Sequence, residues 1–522
     1  MFKRVPFTPG DLRNHHFGTD DTLVGQPVTT NVLIGDAGGS MFDFAKGGND
    51  TIFGGSFNAV NFGYGDAVRS MFDHSKGGND VFTGGGNPPG GGSTSNTFYG
   101  DAGDNMFDHS KGGNDTFSSG LFSGSKFYGD AGGGLFDFAQ GGSDTFTPIE
   151  VFASTIAYGD AGTHMSGHSK GGNDSFTGGS ISSNTFYGDA GGNMSGHSQG
   201  GDDTFTGDIS FFGGLENSTN SFYGDAGGNM TGHSKGGDDT FAVLALSGVF
   251  NTFYGDAGGN MSGHAQGGND IFKASGSFTT SAFTTGIDLV NTFYGDAGGK
   301  MSGSSRGGDD VAVLSEIIGQ LGKQAVNEAS GDALSISGHA AGGNDALNGG
   351  DTSGDGSIDN VLQGDARDMS GCARGGNDVL IGGDNNSGSG QLNNFLYGDA
   401  QSLNDSSRGG SDILIAGTAA PGCAVKNVLW GDGLLAGGAK GGNDRFVFKD
   451  DGPMTIGTNN TIEDFSQRQH DRIEFIDVEG VESFRDLVIV QSGTDTVITA
   501  GTDQVTLHNF TSVLTAHDFL FA

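Results

Sequence analysis

The chain has 522 residues, of which 103 are glycine and only 8 proline, with no glycine at every third place, so collagen and proline-rich linkers are both excluded. Sixty-two acids against 24 bases leave a net charge of -38, which argues against a nucleic acid or an anionic membrane as partner and toward cations. Two cysteines, Cys372 and Cys423, without a CxxC spacing cannot form a disulfide framework.

Residues 1–30 read as an N-terminal lead-in or cap. The opening MFKRVPFTPGDLRNHHFG has bases but no apolar run behind them, so it is not a signal peptide, and no 18-residue apolar stretch exists for a membrane span. That leaves the cytosol, or export by a route that needs no N-terminal signal.

Residues 31–444 are one unit copied thirteen times. The line NTFYGDAGGNMSGHSQGGDDTF at Asn184 to Phe205 returns as NTFYGDAGGNMSGHAQGGNDIF at Asn251 to Phe272. A first marker, GD, places Asp36, Asp66, Asp101, Asp130, Asp160, Asp189, Asp225, Asp256, Asp296, Asp332, Asp365, Asp399 and Asp432 at intervals of 29 to 40 residues. A second, GGND, GGSD or GGDD, ends at Asp50, Asp80, Asp115, Asp144, Asp174, Asp203, Asp239, Asp270, Asp310, Asp345, Asp378, Asp412 and Asp444. The two aspartates of a unit lie 14 residues apart in nine units and 13 or 12 in the last four, so this half tolerates almost no insertion, whereas the half between TF and the next FYG varies like a surface loop. One such filler, Leu314 to Ala329, has the periodicity of a short amphipathic helix.

Short runs such as NTFY and DTFT, rich in Thr, Phe and Tyr and bounded by glycine, predict strands of three to five residues that bury a core only when stacked unit on unit. Two apolar ladders supply that core. Met41, Met71, Met106, Leu135, Met165, Met194, Met230, Met261, Met301, Ile336, Met369 and Leu403 follow the GD aspartate by four or five places; Phe117, Phe146, Phe176, Phe205, Phe241 and Phe272 follow the second aspartate by two. The fold class is therefore all-β, a parallel β-roll or β-solenoid of about thirteen coils.

Aspartate and glycine are ordinary turn formers, but all 26 markers end in Asp where Asn or Ser would serve a turn equally well. Hard carboxylate oxygens and the carbonyls that glycine leaves accessible are what Ca2+ selects, at six to eight ligands per ion. Nineteen divalent ions would balance the net charge of -38. The expectation is roughly one to two calcium ions per repeat. The segments KGGNDTIFGG (Lys46 to Gly55), KGGNDSFTGG (Lys170 to Gly179) and RGGNDVLIGG (Arg374 to Gly383) resemble the calcium-binding nonapeptide of RTX, or repeats-in-toxin, proteins. That resemblance implies a calcium-loaded parallel roll that leaves the cell through a type I secretion apparatus and folds outside it. The unit of about 30 residues is longer than the family's 18-residue coil, leaving a two-sided roll and a three-sided helix both open.

Residues 445–522 are not repetitive and read as a C-terminal cap and secretion-signal region, similar to the segment that closes RTX rolls; in that resemblance Asp464 and Asp471 are the acids flanking its turn. A loop DTSGDGSID sets Asp351, Asp355 and Asp359 at positions 1, 5 and 9 of an EF-hand-like pattern, with Leu362 where a bidentate acid belongs.

A column of His74, His109, His168, His197, His233, His264 and His339 could bind zinc or nickel, sense pH, or simply form an exposed ladder, and Phe44, Phe138 and Cys372 hold the same position elsewhere. Asp43, Asp73, Asp108 and Asp137 precede it as ion ligands or surface charge. No HExxH motif or positioned acid, base and nucleophile is present, so the chain reads as a non-enzyme. The expectation is a secreted or cell-surface calcium-binding protein with a structural or adhesive role. The alternatives are self-assembly into a filament or surface layer through apolar loops such as Phe211 and Phe212, or an ice- or polysaccharide-binding face. For ice, the residue after the second aspartate runs Thr, Val, Thr, Thr, Ser, Thr, Thr and then loses its hydroxyls.

Overall fold

A computed structural model describes residues 8–147, 154–178, 183–207, 218–244, 249–275, 286–318, 323–450 and 454–522. Phe211 and Phe212 lie outside the described residues. The chain is all-β, a parallel β-solenoid of about twelve turns, close to the thirteen repeats of the sequence. Among the described residues the only helical segments are two short 3-10 turns, Phe484–Asp486 and Ala516–Asp518. Two compact units are distinguished: Met1–Phe212 with Glu216–Val243 and Tyr254–Gly268, and Asn269–Ala522 with Gly213–Leu215 and Leu244–Phe253.

Each coil contributes to three parallel faces. In the first unit the short strands Thr51–Phe53, Val81–Thr83, Thr116–Ser118, Thr145–Thr147, Ser175–Gly178 and Thr204–Gly207 build one sheet. Longer strands, among them Val60–Tyr64, Thr94–Tyr99, Ser123–Tyr128, Ser154–Tyr158 and Ser183–Tyr187, build a second. On the third face single bridges join Ala37, Ala67 and Ala102 and join Met41, Met71 and Met106. The second unit repeats the plan, its third face widening into true strands, Ala297–Met301, Ala333–Ile336, Ala366–Met369 and Ala400–Leu403.

The predicted Met and Phe ladders line the interior, with Met71, Met106, Phe82 and Phe117 wholly buried. Phe82, Phe117, Phe146, Phe176 and Phe205 stack at 4.6–4.9 Å between ring centroids. A second phenylalanine file, Phe98, Phe127, Phe186 and Phe222, faces them from the long strands.

Of the span Leu314 to Ala329, residues 319–322 lie outside the described residues, and the described parts are not helical. Lys323–Ser330 is a strand in register with Gly286–Tyr294 and Ser357–Gln363, burying Ala325 and Ala329. Strand neighbours offer these residues a full hydrogen-bond ladder and a core position, which outweighs a weak helical preference.

Both ends of the chain join the stack. Leu12 bridges to Met41, and Thr22–Val24 pairs with Thr51–Phe53, so residues 8–24 trace a degenerate coil whose Gly10–Asp11 is out of step with the GD markers, Asp11 standing in the place of Ser40. In the C-terminal region Arg472–Ile476 pairs in parallel with Arg445–Lys449, and Phe519–Phe521 pairs with Arg472–Ile476. Leu487–Ser492, Asp495–Ala500 and Asp503–Leu507 form an antiparallel meander whose last strand joins Asn459–Ile462.

Candidate metal-binding columns

Stacking turns the two markers into two buried files of carboxylates. In the second-marker file each Oδ1 accepts the backbone N–H of its counterpart one coil earlier. Asp50 donates to Asp80, Asp80 to Asp115, Asp115 to Asp144, Asp144 to Asp174, Asp174 to Asp203 and Asp203 to Asp239, all at 2.6 Å. In the second unit the chain runs from Asp270 through Asp310, Asp345, Asp378 and Asp412 to Asp444 at 2.6–3.0 Å and ends on Asp471 at 3.2 Å. Asp21, whose nearest GD pair, Gly10–Asp11, stands only ten residues before it and out of step with the markers, donates to Asp50 and starts the file.

The first-marker file works within its own coil. Asp36, Asp66, Asp101, Asp130, Asp160, Asp189, Asp225, Asp256 and Asp296 each accept the N–H of the second glycine of their own GG pair, twelve residues on. Asp332, Asp365, Asp399 and Asp432 do the same across eleven or ten residues, and the whole set lies at 2.6–3.1 Å. This clamp explains the constant length of that half. Asp464 takes a related place at the end, accepting N–H groups of Gly431, Asp432 and Gly433.

Oxygen atoms are left over. The Oδ2 atoms of Asp50, Asp80, Asp115, Asp144, Asp174, Asp203, Asp345, Asp378, Asp412 and Asp444 are buried and accept no hydrogen bond. Each approaches the glycine of a GD pair. A Cβ added to Gly100 would stand 1.8 Å from Asp115 Oδ2 and 1.9 Å from the carbonyl oxygen of Gly129, and one on Gly159 would stand 1.8 Å from both Asp174 Oδ2 and the Gly188 oxygen. Glycine is required there because one carboxylate oxygen and one carbonyl oxygen of the next coil converge on the space a side chain would fill.

Burial and neighbouring carboxylates push the acids of both files toward the neutral form: Asp50 to about 8 and Asp444 to about 10, with Asp115 and Asp130 well above the ordinary range. Desolvation alone dominates in Asp332, raised to about 6. At the C-terminal end Asp464 rises to about 7 and Asp471 to about 8, burial again being the main cause. The ion pairs Arg13–Asp11, Arg367–Asp368, Arg445–Glu474 and His508–Glu463 all lie outside the two files.

The remaining acids are placed differently. Asp351 accepts the N–H of Asp384, Asp355 is exposed and accepts from Ser389, and Asp359, the only one of the three in a strand, accepts from Gln324 and Asn393, so the three are tied to separate neighbours. Asp43, Asp73, Asp108 and Asp137 sit at φ of 52–61°, a left-handed turn position taken by Gly167, Gly196, Gly232 and Gly263 in later coils. Among the described residues no three of His, Cys, Asp or Glu are gathered as a metal cluster, so any ion in the files would draw heavily on backbone carbonyls.

The histidines form an exposed ladder. His15, Phe44, His74, His109, Phe138, His168, His197, His233 and His264 stack face to face with centroids 4.7–5.0 Å apart. Stacked rings aim their nitrogen lone pairs in parallel planes instead of at a common point. Cys372 is exposed, Cys423 buried, and both are free thiols.

An asparagine ladder went unread in the sequence. Asn31, Asn61 and Asn96, and in the second unit Asn291, Asn327, Asn360, Asn394 and Asn427, pass a hydrogen bond from Nδ2 to the next Oδ1 at 2.8–3.0 Å. Most also pair with a glycine backbone across the turn, as Asn394 does with both groups of Gly383. Its signal was an Asn five residues before the GD aspartate in eleven of the thirteen units, with Ser125 and Thr155 in the other two. No protein-family model, curated protein or solved structure matches this chain.

Proposed function

We propose that the chain is a calcium-binding repeat protein of RTX type, exported through a type I apparatus and folded by Ca2+ outside the cell, where it has a structural or adhesive surface role. The observation that carries this reading is the pair of buried carboxylate files, in which Asp80, Asp115, Asp144, Asp174 and Asp203 lie among other carboxylates and each keeps an Oδ2 without a hydrogen bond. Buried isolated carboxylates are too costly to stay ionised, so at neutral pH the files need protons or cations. Hard dications satisfy them best: the Oδ2 atoms of Asp80, Asp115, Asp144, Asp174 and Asp203, which accept no hydrogen bond, and the GD-glycine carbonyl of the next coil are oxygen donors of the type Ca2+ prefers. Asp80 with the Gly100 carbonyl, and Asp115 with that of Gly129, would hold such ions, while the first-marker file clamps the turns. Binding would then be inseparable from folding, since the donors of one site come from successive coils.

The test is circular dichroism of the full chain at neutral pH with and without EDTA, together with a count of bound calcium. Gain of β signal on adding calcium, with many ions per chain, is the expected result. A β spectrum that survives complete calcium removal at neutral pH would sink the proposal.

A further inference from the structure

In the first unit the outer face of the short-strand sheet is a regular, uncharged array. Phe117, Phe146, Phe176 and Phe205 point inward, so by the two-residue period of a strand their neighbours point out: Thr116 and Ser118, Thr145 and Thr147, Ser175 and Thr177, Thr204 and Thr206, all partly or fully exposed. One column runs in register through Thr51, Val81, Thr116, Thr145, Ser175, Thr204 and Thr240. Beside it stand Phe53, Thr83, Ser118 and Thr147, and then Thr177, Thr206 and Ala242. Neither column holds a single acid or base, in a chain with 62 acids.

A third file borders them. Asn79, Asn114, Ser143, Asn173, Asp202 and Asp238 each donate a backbone N–H to the side-chain oxygen of the residue one coil earlier at 2.8–3.2 Å, which stiffens the margin. Both periods of the array are set by the scaffold. The phenylalanines beneath repeat every 4.6–4.9 Å across strands. Residues two apart along a strand repeat at about 6.7 Å.

We propose that this threonine face binds ice. A lattice of neutral water molecules is matched by a flat neutral surface, and a charge would hold its own hydration shell against the crystal. Threonine offers one hydroxyl to join the lattice and one methyl to exclude disordered water, and its stiff χ1 keeps both in place at every rung. From Val81 to Thr206 the array contains no aromatic ring on which a sugar could stack, which separates ice from a polysaccharide as occupant. In the second unit the equivalent positions are Ile271 and Lys273, Val311 and Val313, and Val379 and Ile381, so the activity belongs to the first unit.

The experiment uses the full chain, under conditions where circular dichroism shows it folded, and measures thermal hysteresis and ice recrystallisation. The expected result is ice shaping with a measurable freezing gap, lost severalfold in a Thr145→Glu, Thr204→Glu double variant whose spectrum and melting are unchanged. Thr185→Glu, on the outward face of the long-strand sheet, should keep the activity. A folded wild type with no freezing gap overturns the proposal, as does full activity in the double variant or retention on crystalline cellulose without ice shaping. The outcome does not depend on which cation the aspartate files prefer.

Discussion

Asp115 divides its work between its two oxygens: Oδ1 accepts the N–H of Asp80 at 2.6 Å, whereas Oδ2 is buried without a partner. Asp115→Asn keeps the amide oxygen for the first task and removes the anionic donor from the second. Calcium titration of this variant should show about one site fewer, with the fold otherwise intact. The metal-free chain should respond to pH in the opposite sense from most proteins. Folded-state values raised above 3.8 mean that the folded chain keeps protons that the unfolded chain has already released. That stability is complete below the ordinary carboxylate range and is lost as pH rises through the values near 6 for Asp332, 8 for Asp50 and 10 for Asp444. Melting in EDTA should therefore show a midpoint that climbs as the buffer is taken from about pH 8 to about pH 4. A midpoint that is flat or falls over that range would mean the files are not protonated in the fold.

At the level of the turn, Gly100→Ala drives a methyl group into Asp115 Oδ2 and the Gly129 carbonyl at under 2 Å, so coils must separate. The loss should be about 1–3 kcal/mol or more, read as a lowered melting midpoint in saturating calcium. Asn394→Ala removes the partner of both Gly383 backbone groups and breaks the chain between Asn360 and Asn427. Each orphaned group costs about 1–3 kcal/mol, measurable by denaturant unfolding. The Met and Phe ladders were legible beforehand because identical residues recur at constant offsets from an aspartate, and so was the parallel stacking. The strand at Lys323–Ser330 was not, because its partners are 33 or more residues away and its local pattern favours a helix. The turn clamp of the first-marker file was hidden for a related reason: its acceptor and donor meet only after twelve residues have folded back. Asp21 was missed because the only GD pair before it, Gly10–Asp11, is ten residues away and not twelve to fourteen, and because GTDD replaces GGND, although TDDTLVG at Thr19 to Gly25 parallels GNDTIFG at Gly48 to Gly54.

For the molecule as a whole, the C-terminal region covers sheet edges that would otherwise stand open. Removing residues 445–522 takes Arg445–Lys449 from Ile413–Ile415 and Asn459–Ile462 from Ala424–Trp430, leaving bare parallel edges. The truncated chain should scatter light and associate under conditions where the full chain stays dispersed. The aspartate file also has a direction. Every link runs from an N–H on one coil to a carboxylate on the following coil, as from Asp80 to Asp115 and from Asp378 to Asp412. A coil already in place therefore presents acceptors to the segment that precedes it in the chain and waiting donors to the segment that follows. Growth toward the N terminus lays each new donor onto an acceptor that is anchored and positioned, whereas growth the other way must first recruit a free, hydrated carboxylate. The stack is thus polar in assembly, and a chain that met calcium tail first would find its template waiting at every step.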